Sequence, residues 1–383
     1  MLVCLVMAGL LIFPSCLWAD AQPKEDTLKV EFSEIGPLVE IHNLAVDEAK
    51  DGVEDAEEAR KDGIKAIDAA IDGLNKLGLA LLNTPSNPED PASPPIPPAA
   101  YDNVQNQILY ALLDGQKQSL LQQRSSLIAI DVDKLEIQRD MAIDTITSSL
   151  ETVYITYNSL GRQLELLNAQ KELADAQVAA LELQEDLGMV TAVVVNKTKN
   201  EIKTLENSIK QLERTRQTLK EQFNLALSYE FDEPLEIGEV PQVMRSKIVT
   251  TDVERDYKNA WENSYEVLLN EDESSKREAD VLRKFRQGFY NAYQTMRDKQ
   301  DVLELENAKL ALAEKDYEIA QRKHEVGIIS DLQLATEKNN YLSQQIKVEL
   351  TKDEVFQAYH AYEWANRGLI VSTGSSASGG PSF

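Results

Sequence analysis

The sequence predicts an all-α protein built from two tandem repeats of a long antiparallel coiled-coil hairpin. Three observations predict it: two long proline-free blocks, a seven-residue apolar period, and a self-similarity at one fixed offset. Seven of the thirteen prolines stand between Pro85 and Pro98, and Pro234 and Pro241 bracket a second loop. Residues 99–233 and 242–380 contain none. Proline breaks helix interiors and is at home in linkers, so two helical blocks separated by loops follow. Aromatic residues make up only 6% of the chain, which suits coiled coils better than a large globular core.

The blocks are copies of one another. A shift of 139 residues, without a gap, lays 150–229 on 289–368 and places Gly188 on Gly327, Tyr154 on Tyr293 and Asn200 on Asn339. Leu166, Leu173, Ala180 and Leu187 then meet Leu305, Leu312, Ile319 and Val326. Beyond the glycines, Val195, Ile202, Ile209 and Phe223 meet Leu334, Tyr341, Val348 and Tyr362. A sustained seven-residue repeat implies left-handed supercoiling.

Each copy is interrupted in the same way. Gly188 and Gly327 are helix-ending glycines, and Thr191 or Ser330 follows three residues later, suited to cap a new helix. The pattern reads helix, tight turn, antiparallel helix. Residues 101–187 read as one ascending helix of about 130 Å at 1.5 Å per residue. The ascending helix of the second copy carries two apolar stripes. One is Leu305, Leu312, Ile319 and Val326; the other is Leu303, Leu310 and Tyr317. A two-residue offset sets them roughly 160° apart, at about 100° per residue. The returning helix has an approximate second line through Leu342, Ile346 and Phe356. Such helices fit side-by-side closure into a larger assembly, or a compact three- or four-helix bundle.

The expected order along the chain is therefore a leader over 1–21, a helical segment over 22–83 and a proline-rich linker over 84–100. The first hairpin occupies 101–229 with its tip at 188–191. An inter-repeat loop covers 230–251, and the second repeat covers 252–370 with its tip at 327–330. A Ser/Gly-rich, disordered tail runs over 371–383.

Residues 1–18 are mostly apolar, and Ala19-Asp20-Ala21 offers a small-x-small cleavage site, so the chain reads as exported to the cell envelope. The alternative for this stretch is a retained membrane anchor. Cys4 and Cys16 both lie inside it, so the mature chain is expected to have no thiol chemistry and no disulfide. With 65 acidic against 39 basic side chains the net charge is −26, a poor match for nucleic acid, which needs a basic footprint. His42, His324 and His360 have no second His or Cys at ligand spacing, and the acidic stretch Asp47 to Asp62 lacks the calcium-loop order. No phosphate loop, nucleophile elbow or dinucleotide fingerprint is present, so neither catalysis nor a cofactor is expected.

On these residues the chain resembles the TolC family of outer-membrane efflux proteins. The resemblance rests on the paired heptad hairpins, on the Leu/Val-Gly-x-x-Thr/Ser tips, and on Leu235-Glu236-Ile237-Gly238-Glu239-Val240-Pro241 between the repeats. It implies a homotrimer of six hairpins forming an α-helical tunnel, docked to a membrane-fusion adaptor and served by an inner-membrane pump. It assigns docking to Gly188, Met189, Val190, Thr191, Gly327, Ile328, Ile329 and Ser330. The acids beside the tips, Glu185, Asp186 and Asp331, are candidates for charges around an aperture. The chain departs from the family where barrel strands belong. Residues 84–100 are too rich in proline to pair as strands, and 269–276 are too short and charged to span lipid, so no β-barrel is expected. Two functions follow as alternatives: an export duct in the envelope, periplasmic or outer-membrane associated, or a non-conducting structural coiled-coil rod.

Overall fold

In the computed structural model, residues 28–82, 104–271 and 275–371 are described. The expected leader, the proline-rich linker and all but the first residue of the expected tail lie outside them. Of the stretch 269–276, the ends are described and 272–274 lie outside.

The described chain is all-α. It opens with β1, Leu28–Val30, and a 3-10 turn, Phe32–Glu34, followed by α1, Ile35–His42, and α2, Leu44–Leu82. Next come α3, Val104–Ile128, α4, Val132–Asp186, and α5, Ala192–Ala226. After β2, Leu235–Ile237, three short helices follow: α6, Arg245–Val249, α7, Val253–Glu262, and α8, Tyr265–Leu269. The chain ends with α9, Ser275–Glu325, and α10, Asp331–Asn366. At 1.5 Å per residue the 55 residues of α4 span about 83 Å, and the 35 of α5 return about 53 Å. Among the described residues, no strand exceeds three residues, and no helix is long and apolar enough to cross a membrane.

One expectation fails. The ascending helix of the first repeat is two helices, broken at Ala129–Asp131, where the Asp131 carboxylate caps α4 by accepting from the Lys134 N–H at 3.1 Å. The cause is packing: α3 lies against α2, not against α5, held by Arg124 Nε to Asp68 Oδ1 at 2.6 Å and Lys117 Nζ to Asn75 Oδ1 at 3.0 Å. The sequence hid the break because residues 99–233 contain no proline.

Each repeat has its own core at the end of its hairpin remote from the turn. In the first, Phe32, Ile35, Val39, Leu150, Tyr154 and Phe223 are buried together. In the second, Ile248, Phe285, Phe289, Met296 and Tyr362 are. The 139-residue shift carries Leu150 onto Phe289 and Phe223 onto Tyr362, so equivalent positions fill equivalent cores. β1 pairs in parallel with β2, Leu28 opposite Leu235, and the Gly238 N–H donates to Val30 O at 2.9 Å. This ladder pins the N-terminal segment to the connection between repeats.

A buried carboxylate fastens the second hairpin. Glu306, only 4% exposed on α9, accepts from Lys309 Nζ at 2.8 Å and Gln344 Nε2 at 2.8 Å, with Lys347 Nζ at 3.4 Å. These donors hold it down to about 2, from the ordinary 4.5. A carboxylate lowered in the folded state stabilises above its unfolded value, and that contribution is lost as pH falls from about 4.5 toward 2. Glu306→Gln is expected to flatten the loss of stability across this window, read from urea midpoints at stepped pH; an unchanged pH slope would show that Glu306 does not carry it.

Candidate docking tips and lateral seams

Both turns are the same helix-ending device. At the first, Gly188 N–H donates to Glu185 O at 2.8 Å and Met189 N–H to Gln184 O at 2.8 Å. At the second, Gly327 N–H donates to His324 O at 2.9 Å and Ile328 N–H to Lys323 O at 2.8 Å. This is the Schellman pattern, and it needs a left-handed residue, which Gly188 (φ 73°) and Gly327 (φ 75°) supply. The motif often buries its next residue against the preceding turn. Here Met189 and Ile328 are 72% and 70% exposed, and Leu187 and Val326 beside them are exposed too. Val190 and Ile329 are half-buried.

The caps differ. The Ser330 hydroxyl accepts from Gln333 N–H at 3.3 Å while Gln333 Oε1 accepts from Ser330 N–H at 3.0 Å, a reciprocal box. Thr191 makes no side-chain cap, and the residue three further on is Val194, which has nothing to return. Asp331, on the first turn of α10, lies 2.6 Å from His324 Nε2 across the turn. Glu185 is half-buried and Asp186 exposed at the end of α4, and neither forms an ion pair among the described residues.

The two hairpins pack through α4 and α10. Antiparallel contacts step from Glu151 and His360, through Arg162 and Asp353, to Ala169 and Asn339. They advance toward both turns, so the two tips lie at one end of the molecule. Glu151 Oε2 accepts from Trp364 Nε1 at 2.7 Å and lies 2.6 Å from His360 Nε2. Arg162 Nε donates to Asp353 Oδ2 at 2.7 Å, with Glu349 at 3.8 Å. Burial pushes the Asp353 carboxyl up, and Arg162 offsets part of that. Of these polar anchors only His360 stood out in the sequence, and there only as a histidine with no second ligand. Arg162, four residues before Leu166 on the same helical face, was the available signal.

The lateral stripes have different fates. Leu303, Leu310 and Tyr317 are half-buried, and Tyr317 stacks on Tyr341 of α10 at 5.7 Å, so this stripe closes the hairpin. In the first repeat Leu166 and Leu173 are half-buried on the α4 face bounded by Arg162 and Ala169, which α10 covers. Their counterparts on α9 are uncovered. Leu305, Leu312, Ile319 and Val326 are between 48% and 69% exposed, one line of apolar side chains along the edge of the molecule.

Solved structures share this architecture. The outer membrane protein VceC of Vibrio cholerae matches with a TM-score of 0.51 at 11% identity, over 88% of this chain and 96% of that one. The outer-membrane channel OprN matches with a TM-score of 0.51 at 10% identity, over 88% and 89%. A shorter match, to the CmeC outer membrane channel of Campylobacter jejuni, spans 62% of this chain and 65% of that one, with a TM-score of 0.44 at 11% identity. The likeness is one of fold. No protein-family model and no curated protein sequence matches the chain.

The glycine geometry is testable by itself. Gly188→Ala or Gly327→Ala forces a Cβ into the left-handed region at a cost of about 1 kcal/mol, and nothing else stands within 4 Å of either Cβ position. Faster amide exchange at Met189 or Ile328 is expected, with the global unfolding midpoint almost unmoved.

Proposed function

We propose that copies of this chain close side by side into an α-helical export duct of the cell envelope, part of an efflux or secretion system. One observation carries the reading: Leu305, Leu312 and Ile319 of α9 are bare, while their equivalents on α4, Leu166, Leu173 and Ala180, are half-buried beside the returning helix of the other hairpin. A coiled-coil rod acting alone gains nothing from such an exposed line, whereas lateral closure buries it. The fold shared with outer-membrane channels supports the reading, and the resemblance to the TolC family makes three copies, six hairpins, the expected ring.

The tips supply the second half of the proposal. They lie at one end and present Met189 and Ile328 on glycine turns that let another backbone approach closely. We assign them, with Val190, Thr191, Ile329 and Ser330, to docking the helical hairpin of a membrane-fusion adaptor, and through it an inner-membrane pump. Asp331, bound to His324, and the acids Glu185 and Asp186 stand beside the docking surface as the charges of the duct's entrance.

Light scattering of the mature chain is expected to give the mass of a closed oligomer; a monomer at every concentration would return the chain to the rod alternative. Met189→Glu with Ile328→Glu is expected to abolish co-purification with an adaptor encoded in the same genome while leaving the oligomer intact. Retention of the adaptor by that variant would overturn the docking assignment.

A further inference from the structure

The α4–α10 contact is a template for the missing one, and its charges come out reversed. In the 139-residue register, Arg162 on α4 corresponds to Asp301 on α9, and Asp353 on α10 corresponds to Arg214 on α5. Glu349, the second acid near Arg162, corresponds to Lys210. The pair of the covered seam, cation on the ascending helix and acids on the returning one, is thus inverted on the two uncovered edges. Asp301, Lys210 and Arg214 are all exposed, and none forms a hydrogen bond or ion pair with another described residue of the chain.

A second correspondence holds without inversion. Asn339 Nδ2 donates to the Ala169 carbonyl at 2.6 Å across the covered seam. The same shift gives Asn200 on α5 and Ala308 on α9, both exposed. Ion pair and amide bond flank Leu166 on α4; Asp301 and Ala308 flank the bare Leu305 in the same spacing. Five positions therefore reproduce one contact in a single register, between two faces that one copy cannot bring together because they lie on its opposite edges.

We infer that α9 of one copy receives α5 of a second copy of this chain in the register in which α4 receives α10, with Asp301 against Arg214 and Lys210 of the neighbouring copy. The reversal sorts the contacts. α10 of a neighbour on α9 would set Asp353 and Glu349 against Asp301, and α5 on α4 would set Arg214 and Lys210 against Arg162. Both wrong pairings place like charges at a closing seam, which costs several kcal/mol. Only the alternating order remains, so the residues specify how the ring closes as well as that it closes. This rests on the side-by-side assembly proposed above.

The test is a charge exchange read by sedimentation. Asp301→Arg alone, and Lys210→Glu with Arg214→Glu alone, are each expected to raise the apparent dissociation constant of the oligomer at least about tenfold. The three substitutions together are expected to restore assembly. All three side chains are exposed in the single chain, so an unchanged monomer unfolding midpoint separates this effect from misfolding. Asn200→Cys with Ala308→Cys, in a background with Cys4 and Cys16 replaced by alanine, is expected to form an oxidised crosslink between copies. An oligomer that tolerates both exchanges and forms no crosslink would overturn this seam while leaving the duct standing. A wild-type chain that never assembles would overturn both.

Discussion

The structure depends on the antiparallel contact between α4 and α10. Without it the chain is two independent hairpins, each with a modest core at its base and a long, thin stem. The contact makes them one sheet of four helices in the order α5, α4, α10, α9 and aligns the two turns at one end. It also decides which faces stay bare. Its anchors are polar: Asp353 is 2% exposed and Glu151 is buried, each met by partners from the opposite repeat. A buried carboxylate stripped of its donor is costly, so these bonds fix register more strongly than the non-directional apolar contacts between them can. Aromatic stacking helps at the base, where Phe32 lies edge-on to His360 at 4.9 Å and Phe356 lies parallel to the same ring.

Much of this was legible in the sequence because it is local. The heptads, the two Gly-x-x-Thr/Ser turns and the ungapped repeat all arise from residues close along the chain, where 3.6-residue geometry maps sequence onto face. The bare and covered stripes were both visible as stripes. What the sequence did not separate is which of them finds a partner inside the chain. That depends on contacts such as Arg162 to Asp353, 191 residues apart, or His360 to Glu151, 209 apart. The break at Ala129–Asp131 was hidden because residues 99–233 contain no proline to mark it. Thr191 and Ser330 look alike in sequence, yet only Ser330 caps; the glutamine at 333 that returns a bond to Ser330 is replaced by Val194 in the first repeat.

The repeats are equal in their hairpins and unequal above them. In the first, α2 with 39 residues and α3 with 25 pair into an arm. In the second, the corresponding stretch is α7 and α8, with 10 and 5 residues packed onto the base of α9 and α4. Among the described side chains, the arm's seam is half-buried: Leu113, Leu120 and Leu127 of α3 and Ile67, Ile71 and Leu74 of α2, flanked by Arg124 with Asp68 and Lys117 with Asn75. A two-helix stem whose described apolar seam stays half open to water holds together less firmly than the hairpin base, and amide exchange should grade accordingly.

An internal duplication imposes a problem of its own. Two nearly equivalent hairpins carry nearly equivalent edges, and every edge can in principle accept either returning helix. Apolar stripes alone cannot discriminate, since Leu166 and Leu305 present the same chemistry. Discrimination has to come from groups for which the wrong neighbour is repulsive, and charges at a desolvated seam are the strongest such groups available. Arg162 and Asp301 occupy the same place in the two copies with opposite sign, as do Asp353 and Arg214. Covalent linkage already favours α10 beside α4 through effective concentration. The inverted pair adds what linkage cannot: it makes the contact between chains incompatible with the contact within them, so closing the assembly does not compete with folding the protomer.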